Sequence, residues 1–176
     1  MSASYYSFWL VPQSPDLDYL QGIVNTLAKQ FGTVSFCPHV TLYSGAVPAT
    51  VDLQKVCAHL SARPVELAIS QLGYESRFSK TLYIQLRPSS TLAQLVSRLV
   101  AAIPNAQAPT LDPHVSLLYC NGLDTATKQT LSNTINLSQS TIRFDHIQVI
   151  SAPQNFETQT HVSKLRCVHS QRLTKS

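Results

Sequence analysis

A chain of 176 residues with 44% apolar side chains suits one domain of ordinary size, or two small lobes sharing a cleft. Only 12% of its residues are charged, too few for a disordered polyelectrolyte, and a net charge of +4 falls short of a broad nucleic-acid-binding surface. The opening MSASYYSFWLVPQSP carries no basic leader, and no stretch nears the roughly 20 apolar residues of a membrane span, so the expected location is the cytoplasm.

Tyr5 to Val11 is β-branched and aromatic and stops at Pro12, as a strand would. Ser14-Pro15-Asp16 starts a helix carrying Leu17, Leu20, Val24 and Leu27 at helical spacing, and Gly32 ends it. Pro38 to Tyr43 reads as a second strand, Asp52 to Leu60 as a second helix and Val65 to Leu72, alternating, as a third strand. The order then restarts. Leu82 to Leu86 is a strand, Ser89 caps a helix with Leu92, Leu95 and Leu99, and Val115 to Tyr119 is a strand. Asp124 to Ile135 is helical and Ile142 to Ile150 is a long strand; 159–169 is expected to add one more. The basic residues Lys164, Arg166, His169, Arg172 and Lys175 read as a solvated tail. Cys37, Cys57, Cys120 and Cys167 have no CxxC spacing and read as free, mostly buried thiols.

The two halves align at a constant offset of 75 residues with no gap, the spacing at which the PHV triplet recurs. Phe8 falls on Tyr83, Leu20 on Leu95, Val24 on Leu99, Leu67 on Ile142 and Ile69 on Phe144. Pro38-His39-Val40 recurs as Pro113-His114-Val115, each followed by a hydroxyl residue and Leu. An internal duplication predicts an α+β fold: two lobes related by a pseudo-twofold, with antiparallel sheets facing a central cleft and helices outside. The expected bounds are 4–74 and 81–152, with a C-terminal strand and tail over 153–176.

Alternation along a strand points His39 and Thr41 the same way, about 6.6 Å apart, and His114 and Ser116 likewise. A pseudo-twofold can bring both pairs around one centre, which suits a phosphodiester. In-line displacement at phosphorus needs one group to deprotonate the nucleophile and another to protonate the leaving oxygen, and histidine can do either near neutral pH. The hydroxyls can donate to non-bridging oxygens, where charge builds up. No metal or other cofactor is expected, since no His-x-His or Cys pair accompanies these residues, and Asp112 alone reads as finishing a turn. His59, His146, His161 and His169 read as surface or structural, and Trp9 as core.

In these motifs, HVTL at 39–42 and HVSL at 114–117, the chain resembles the two-histidine phosphoesterase superfamily, and most closely its plant-type cyclic phosphodiesterases, over roughly residues 4 to 152. The resemblance implies hydrolysis of ADP-ribose 1″,2″-cyclic phosphate and nucleoside 2′,3′-cyclic phosphates to monophosphates. It implies that His39 and His114 form the acid–base pair and that Thr41, Ser116 and Tyr119 hold the phosphate. Strict alternation turns Tyr119 away from the His114 face, so a bulge or strand end must re-aim it; Tyr43 is the alternative aromatic. The link GYESRFSK at 73–80 is either a solvated turn or a loop that closes over a nucleotide through Arg77, Phe78 and Lys80. The expected partner is a small cyclic-phosphate nucleotide, with no membrane and no obligate protein partner. The alternatives are a 2′-5′ RNA phosphodiesterase acting on RNA ends, and a nucleotide-binding module without turnover.

Overall fold

The computed structural model describes residues 3–60 and 63–174. Seven strands alternate with helices: β1 (Ala3–Pro12), α1 (Asp16–Phe31), β2 (Val40–Pro48), α2 (Leu53–His59), β3 (Val65–Tyr74), a single 3-10 turn (Phe78–Lys80), β4 (Leu82–Leu86), α3 (Ser90–Ala102), β5 (His114–Leu118), α4 (Thr125–Thr134), β6 (Thr141–Ser151), α5 (Gln159–Ser163) and β7 (Arg166–Arg172). No helix among the described residues is long and apolar enough to cross a membrane.

The helices start and stop where local chemistry permits. Ser89 accepts a hydrogen bond from the Leu92 amide at 3.1 Å and Asp124 accepts one from Thr127 at 2.8 Å, satisfying first-turn donors. Gly32 closes α1 in the left-handed region at φ 61°, which costs glycine nothing. Leu20, Val24 and Leu27 form the buried stripe of α1, and Leu92, Leu95 and Leu99 that of α3.

All strand pairings are antiparallel, in the order β2-β1-β6-β3-β4-β5, with β7 alongside β6. The third strand of each repeat joins the first strand of the other: β6 pairs with β1, and β3 with β4. Where β3 and β6 meet, Leu67 stands opposite Ile142, so each faces its own counterpart in the repeat and the pseudo-twofold passes between them. The two edge strands, β2 and β5, curl round into contact. These are the strands that carry the histidine motifs.

Bulges recur at equivalent places. Leu42 is the extra residue between Thr41 and Tyr43 opposite β1, and Leu117 between Ser116 and Leu118 opposite β4. Ser70 in β3 and Asp145 in β6 are skipped in the same way. A bulge resets side-chain parity. Thr41 and Ser44 therefore face the cleft while Leu42 and Tyr43 are buried.

Four details depart from the sequence reading. Trp9 stands opposite Thr41 as Tyr83 stands opposite Ser116, so the partner of Tyr83 is Trp9 and not Phe8. The second half has one extra residue between its first strand and helix. Residues 159–163 form α5 rather than strand, because the Thr158 hydroxyl caps a helical turn at the His161 amide. Arg166 to Arg172 form a paired strand, not a tail, with Arg172 bonded to Asp145 at 3.2 Å; Lys175 lies outside the described residues. Finally, all four cysteines are free but only Cys57 is buried, and Cys167 is exposed on β7.

Because β3 and β6 stitch the halves together, unfolding should be a single transition. Leu67→Ala should cost about 2–5 kcal/mol, as for a buried Leu that leaves a cavity. Val168→Ala, at an exposed position, should stay within about 0.5 kcal/mol. Chemical denaturation followed by fluorescence and circular dichroism checks both, and two separated transitions would contradict the shared-sheet account.

Candidate active site

His39 immediately precedes β2 and His114 opens β5. Each ring is held alike. His39 Nδ1 lies 2.7 Å from the Cys37 carbonyl, and His114 Nδ1 lies 2.8 Å from the Asp112 carbonyl. A carbonyl can only accept, so both Nδ1 atoms carry the hydrogen, and Nε2 of each neutral ring is left as a proton acceptor. Both rings line one cavity of about 240 Å³, together with Thr41, Tyr119, Trp9 and Arg77.

The surroundings of the two rings differ. His39 is 6% exposed and stacks on the Trp9 indole, with ring centroids 3.5 Å apart and planes 4° from parallel. The indole is fixed in turn: Nε1 donates to Ser7 Oγ at 2.8 Å, and that hydroxyl meets Ser44 Oγ at 2.7 Å. Burial pushes the His39 pKa down to about 3; the bond to Cys37 opposes this and the nearby His114 adds to it. The His114 side chain is 25% exposed, meets Tyr83 edge-on at 5.7 Å, and has Asp112 Oδ2 at 3.9 Å from Nδ1. Burial also lowers its pKa, with Asp112 opposing and Lys80 and Arg77 reinforcing.

Thr41 presents its hydroxyl to the cavity with no hydrogen-bond partner among the described residues. Ser116 does not line the cavity: it is buried beside Tyr119, and its Oγ donates to the Ser79 carbonyl at 2.7 Å. Tyr119 lies just past β5, returned to the cleft by the Leu117 bulge. Its ring stacks on Phe36 at 3.7 Å, and burial raises its pKa, so it stays a neutral phenol.

Of the residues expected in the link between halves, only Arg77 lines the cavity, 3.1 Å from Glu75. Phe78 is buried under Tyr119 and Phe156, and Lys80 is buried between two carboxylates, so neither faces the cavity. Tyr43 is turned inward onto Phe8 by the Leu42 bulge. Trp9 is buried as expected, yet it also forms a wall of the cavity, a role its run FWLV did not signal. Phe8 and Leu10 fill one face of β1, while Trp9 and Val11 fill the other. His59, His146, His161 and His169 lie outside the cavity, and His146 is bonded to Asp145 at 2.6 Å. Among the described residues no group of three or more His, Cys, Asp or Glu side chains is placed to hold a metal ion.

The buried His39 has a consequence for stability. Its folded pKa, about 3, lies below the ordinary value of about 6.5, so between these pH values the unfolded chain binds a proton that the folded one refuses. Stability is therefore lost as pH falls through that window, at up to about 1.4 kcal/mol per pH unit. Urea denaturation of wild type and His39→Asn from pH 7 to pH 4.5 should show a steeper decline for wild type; parallel curves would mean that His39 is not held neutral.

A family model described as the 2′-5′ RNA ligase superfamily matches residues 12–155. Among solved structures, the fold is similar to Escherichia coli LigT in its apo form, with TM-score 0.60, 16% identity, and 99% of this chain and 100% of that one covered. LigT complexed with 3′-AMP gives TM-score 0.60 at 13% identity, covering 99% of this chain and 100% of that one. TT0787 of Thermus thermophilus also gives 0.60 at 13% identity, covering 96% of this chain and 97% of that one. No curated protein matches the sequence. With the model spanning most of its length and the histidines of both His-x-Thr/Ser motifs meeting at one cavity, the chain belongs to the 2′-5′ RNA ligase superfamily, the two-histidine phosphoesterases.

Proposed function

We propose that this phosphoesterase hydrolyses small cyclic phosphate diesters, nucleoside 2′,3′-cyclic phosphates and ADP-ribose 1″,2″-cyclic phosphate, by acid–base catalysis between His39 and His114. One observation carries the reading: two imidazoles line the same cavity, each with Nδ1 tied to the carbonyl two residues earlier and Nε2 left for proton transfer. His39, kept neutral by burial, suits the base; His114, more open and beside a carboxylate, suits the acid.

In that reaction water attacks phosphorus, losing its proton to His39 Nε2 as the new P–O bond forms. The opposite P–O bond breaks and the departing oxygen takes the proton from His114 Nε2. Thr41 donates to a non-bridging oxygen, and Tyr119, a neutral phenol lining the same cavity, is assigned the same role. Ser116 must turn its hydroxyl from the Ser79 carbonyl before it can assist. Negative charge on a bound phosphate raises both histidine pKa values toward the range where such transfers are efficient.

Substrate size follows from the cavity. At about 240 Å³ it lies at the small end for ligand sites, and Arg77 is the one Lys or Arg lining it among the described residues. That favours a small nucleotide over a long RNA strand, which needs a basic track along its backbone. LigT is known complexed with 3′-AMP, a nucleoside monophosphate similar in size to the nucleoside 2′,3′-cyclic phosphates.

Hydrolysis of 2′,3′-cyclic AMP should persist in excess chelator; a loss that a divalent ion restores would overturn the metal-free account. His39→Ala and His114→Ala should each lower turnover about 10²-fold or more, and the double variant should lose less than the product of the two. Thr41→Ala should be milder, near the roughly 1–3 kcal/mol of a hydrogen bond to a charged group. For the free enzyme kcat/KM needs His39 neutral and His114 protonated. Its pH profile should be bell-shaped with a maximum between about 3 and 6.5, and His114→Ala should remove the alkaline limb.

A further inference from the structure

We propose that Lys80 is a positioning residue: by holding the Asp112 carboxylate away from His114, it sets how readily that histidine takes and releases its proton. This rests on His114 being the proton donor of the proposed reaction.

Lys80 is 4% exposed, an unusual place for an ammonium group unless it is fully partnered. Its Nζ lies 2.9 Å from Glu75 Oε1 and 2.8 Å from Asp112 Oδ2, and 4.3 Å over the Tyr83 ring. The Tyr83 ring is the one that meets His114 edge-on. A single lysine thereby joins β3's end, β4 and the loop that leads into the second histidine motif.

The key atom is Asp112 Oδ2. It is 3.9 Å from His114 Nδ1, too far for a hydrogen bond but close enough to act on its charge, and Lys80 grips it 1.1 Å nearer. Gln85 fixes the rest of the carboxylate. Its Nε2 donates to Asp112 Oδ1 at 2.9 Å and to the Pro113 carbonyl at 3.0 Å. His114 Nδ1 is left to the Asp112 main-chain carbonyl. The charged and titratable groups around the ring are then Asp112 on its own loop, Lys80 and Arg77 on the link, Tyr83 on β4, and His39 across the cleft. Asp112 favours the imidazolium; Lys80 and Arg77 oppose it.

The first half has no such device. Cys37 stands where Asp112 does in the repeat, supplying the same main-chain acceptor without a carboxylate. The Lys80–Asp112 pair is therefore a feature of one half only, superposed on a ring-holding geometry that both share.

The test is the titration of each histidine ring in the substrate-free protein by NMR, for wild type, Lys80→Met and Asp112→Asn. Losing Lys80 removes a cation and frees a carboxylate, so the His114 midpoint should rise by about 1 pH unit or more. Losing the carboxylate should move it down. His39 should be unmoved in both, and the alkaline limb of kcat/KM should follow His114 up in Lys80→Met and down in Asp112→Asn. If Lys80→Met fails to fold, Lys80→Gln, which removes the charge but keeps a donor for the carboxylates, is titrated in its place. An unmoved His114 midpoint, even with lower activity, would overturn the inference and leave Lys80 a structural lysine. Midpoints that move as expected in a protein that does not hydrolyse cyclic phosphates would overturn the proposed reaction instead, leaving the Lys80 assignment standing.

Discussion

Antiparallel pairing of β3 with β6 around Leu67 and Ile142 holds this molecule in register. A pairing between symmetric equivalents permits no independent sliding of the halves, because a shift of one strand turns its whole apolar set to the wrong face. From that ladder β6 runs on beside β1 and β3 runs on beside β4, each skipping one residue at the same place. The outermost strands, β2 and β5, are thereby brought together with their histidines facing one cavity. The separation of two histidines 75 residues apart in sequence is thus set by main-chain hydrogen bonds remote from either ring.

Symmetry of frame does not extend to electrostatics. Both rings are tethered by the same Nδ1 bond, but one leans on a flat indole in a dry niche while the other meets a phenol edge and an ion pair. A displacement with distinct attacking and leaving oxygens benefits from that difference, since two identical imidazoles would compete for one proton. Differentiating two equal sites took substitutions around the motifs, Trp9 against Tyr83 and Cys37 against Asp112, with only Thr41 against Ser116 within them.

Much of this was legible in the sequence, for specific reasons. The repeated PHV triplet located both histidines, and period-2 and period-3.6 apolar patterns located the strands and helices. Alternation correctly aimed Thr41, and the need for a bulge to re-aim Tyr119 could be argued from parity alone. What parity could not reveal was the matching bulge at Leu42, which buries Tyr43 and brings Ser44 to the cleft. The one-residue difference between repeats likewise hid Trp9 as the partner of Tyr83. Lys80 was misplaced because composition shows a basic loop residue but not the carboxylates that fold over it. Strand exchange left no trace in the hydrophobic pattern, since a strand buried by its neighbour's sheet reads like one buried by its own.

That exchange bears on how the protein comes into being at the ribosome. β1, which carries Trp9, is completed on one side by residues near 150, so the niche for His39 cannot close until most of the chain has emerged. A nascent first half has β1 with one open edge and β3 with no partner strand on either side, and the same segment of another nascent chain offers both a complement. Contacts of such long sequence separation are slow to form. Until β6 docks, the growing polypeptide therefore carries one histidine on an indole whose strand is unpaired on one side, no second histidine held opposite it, and exposed strand edges suited to pairing with a neighbour on the same message.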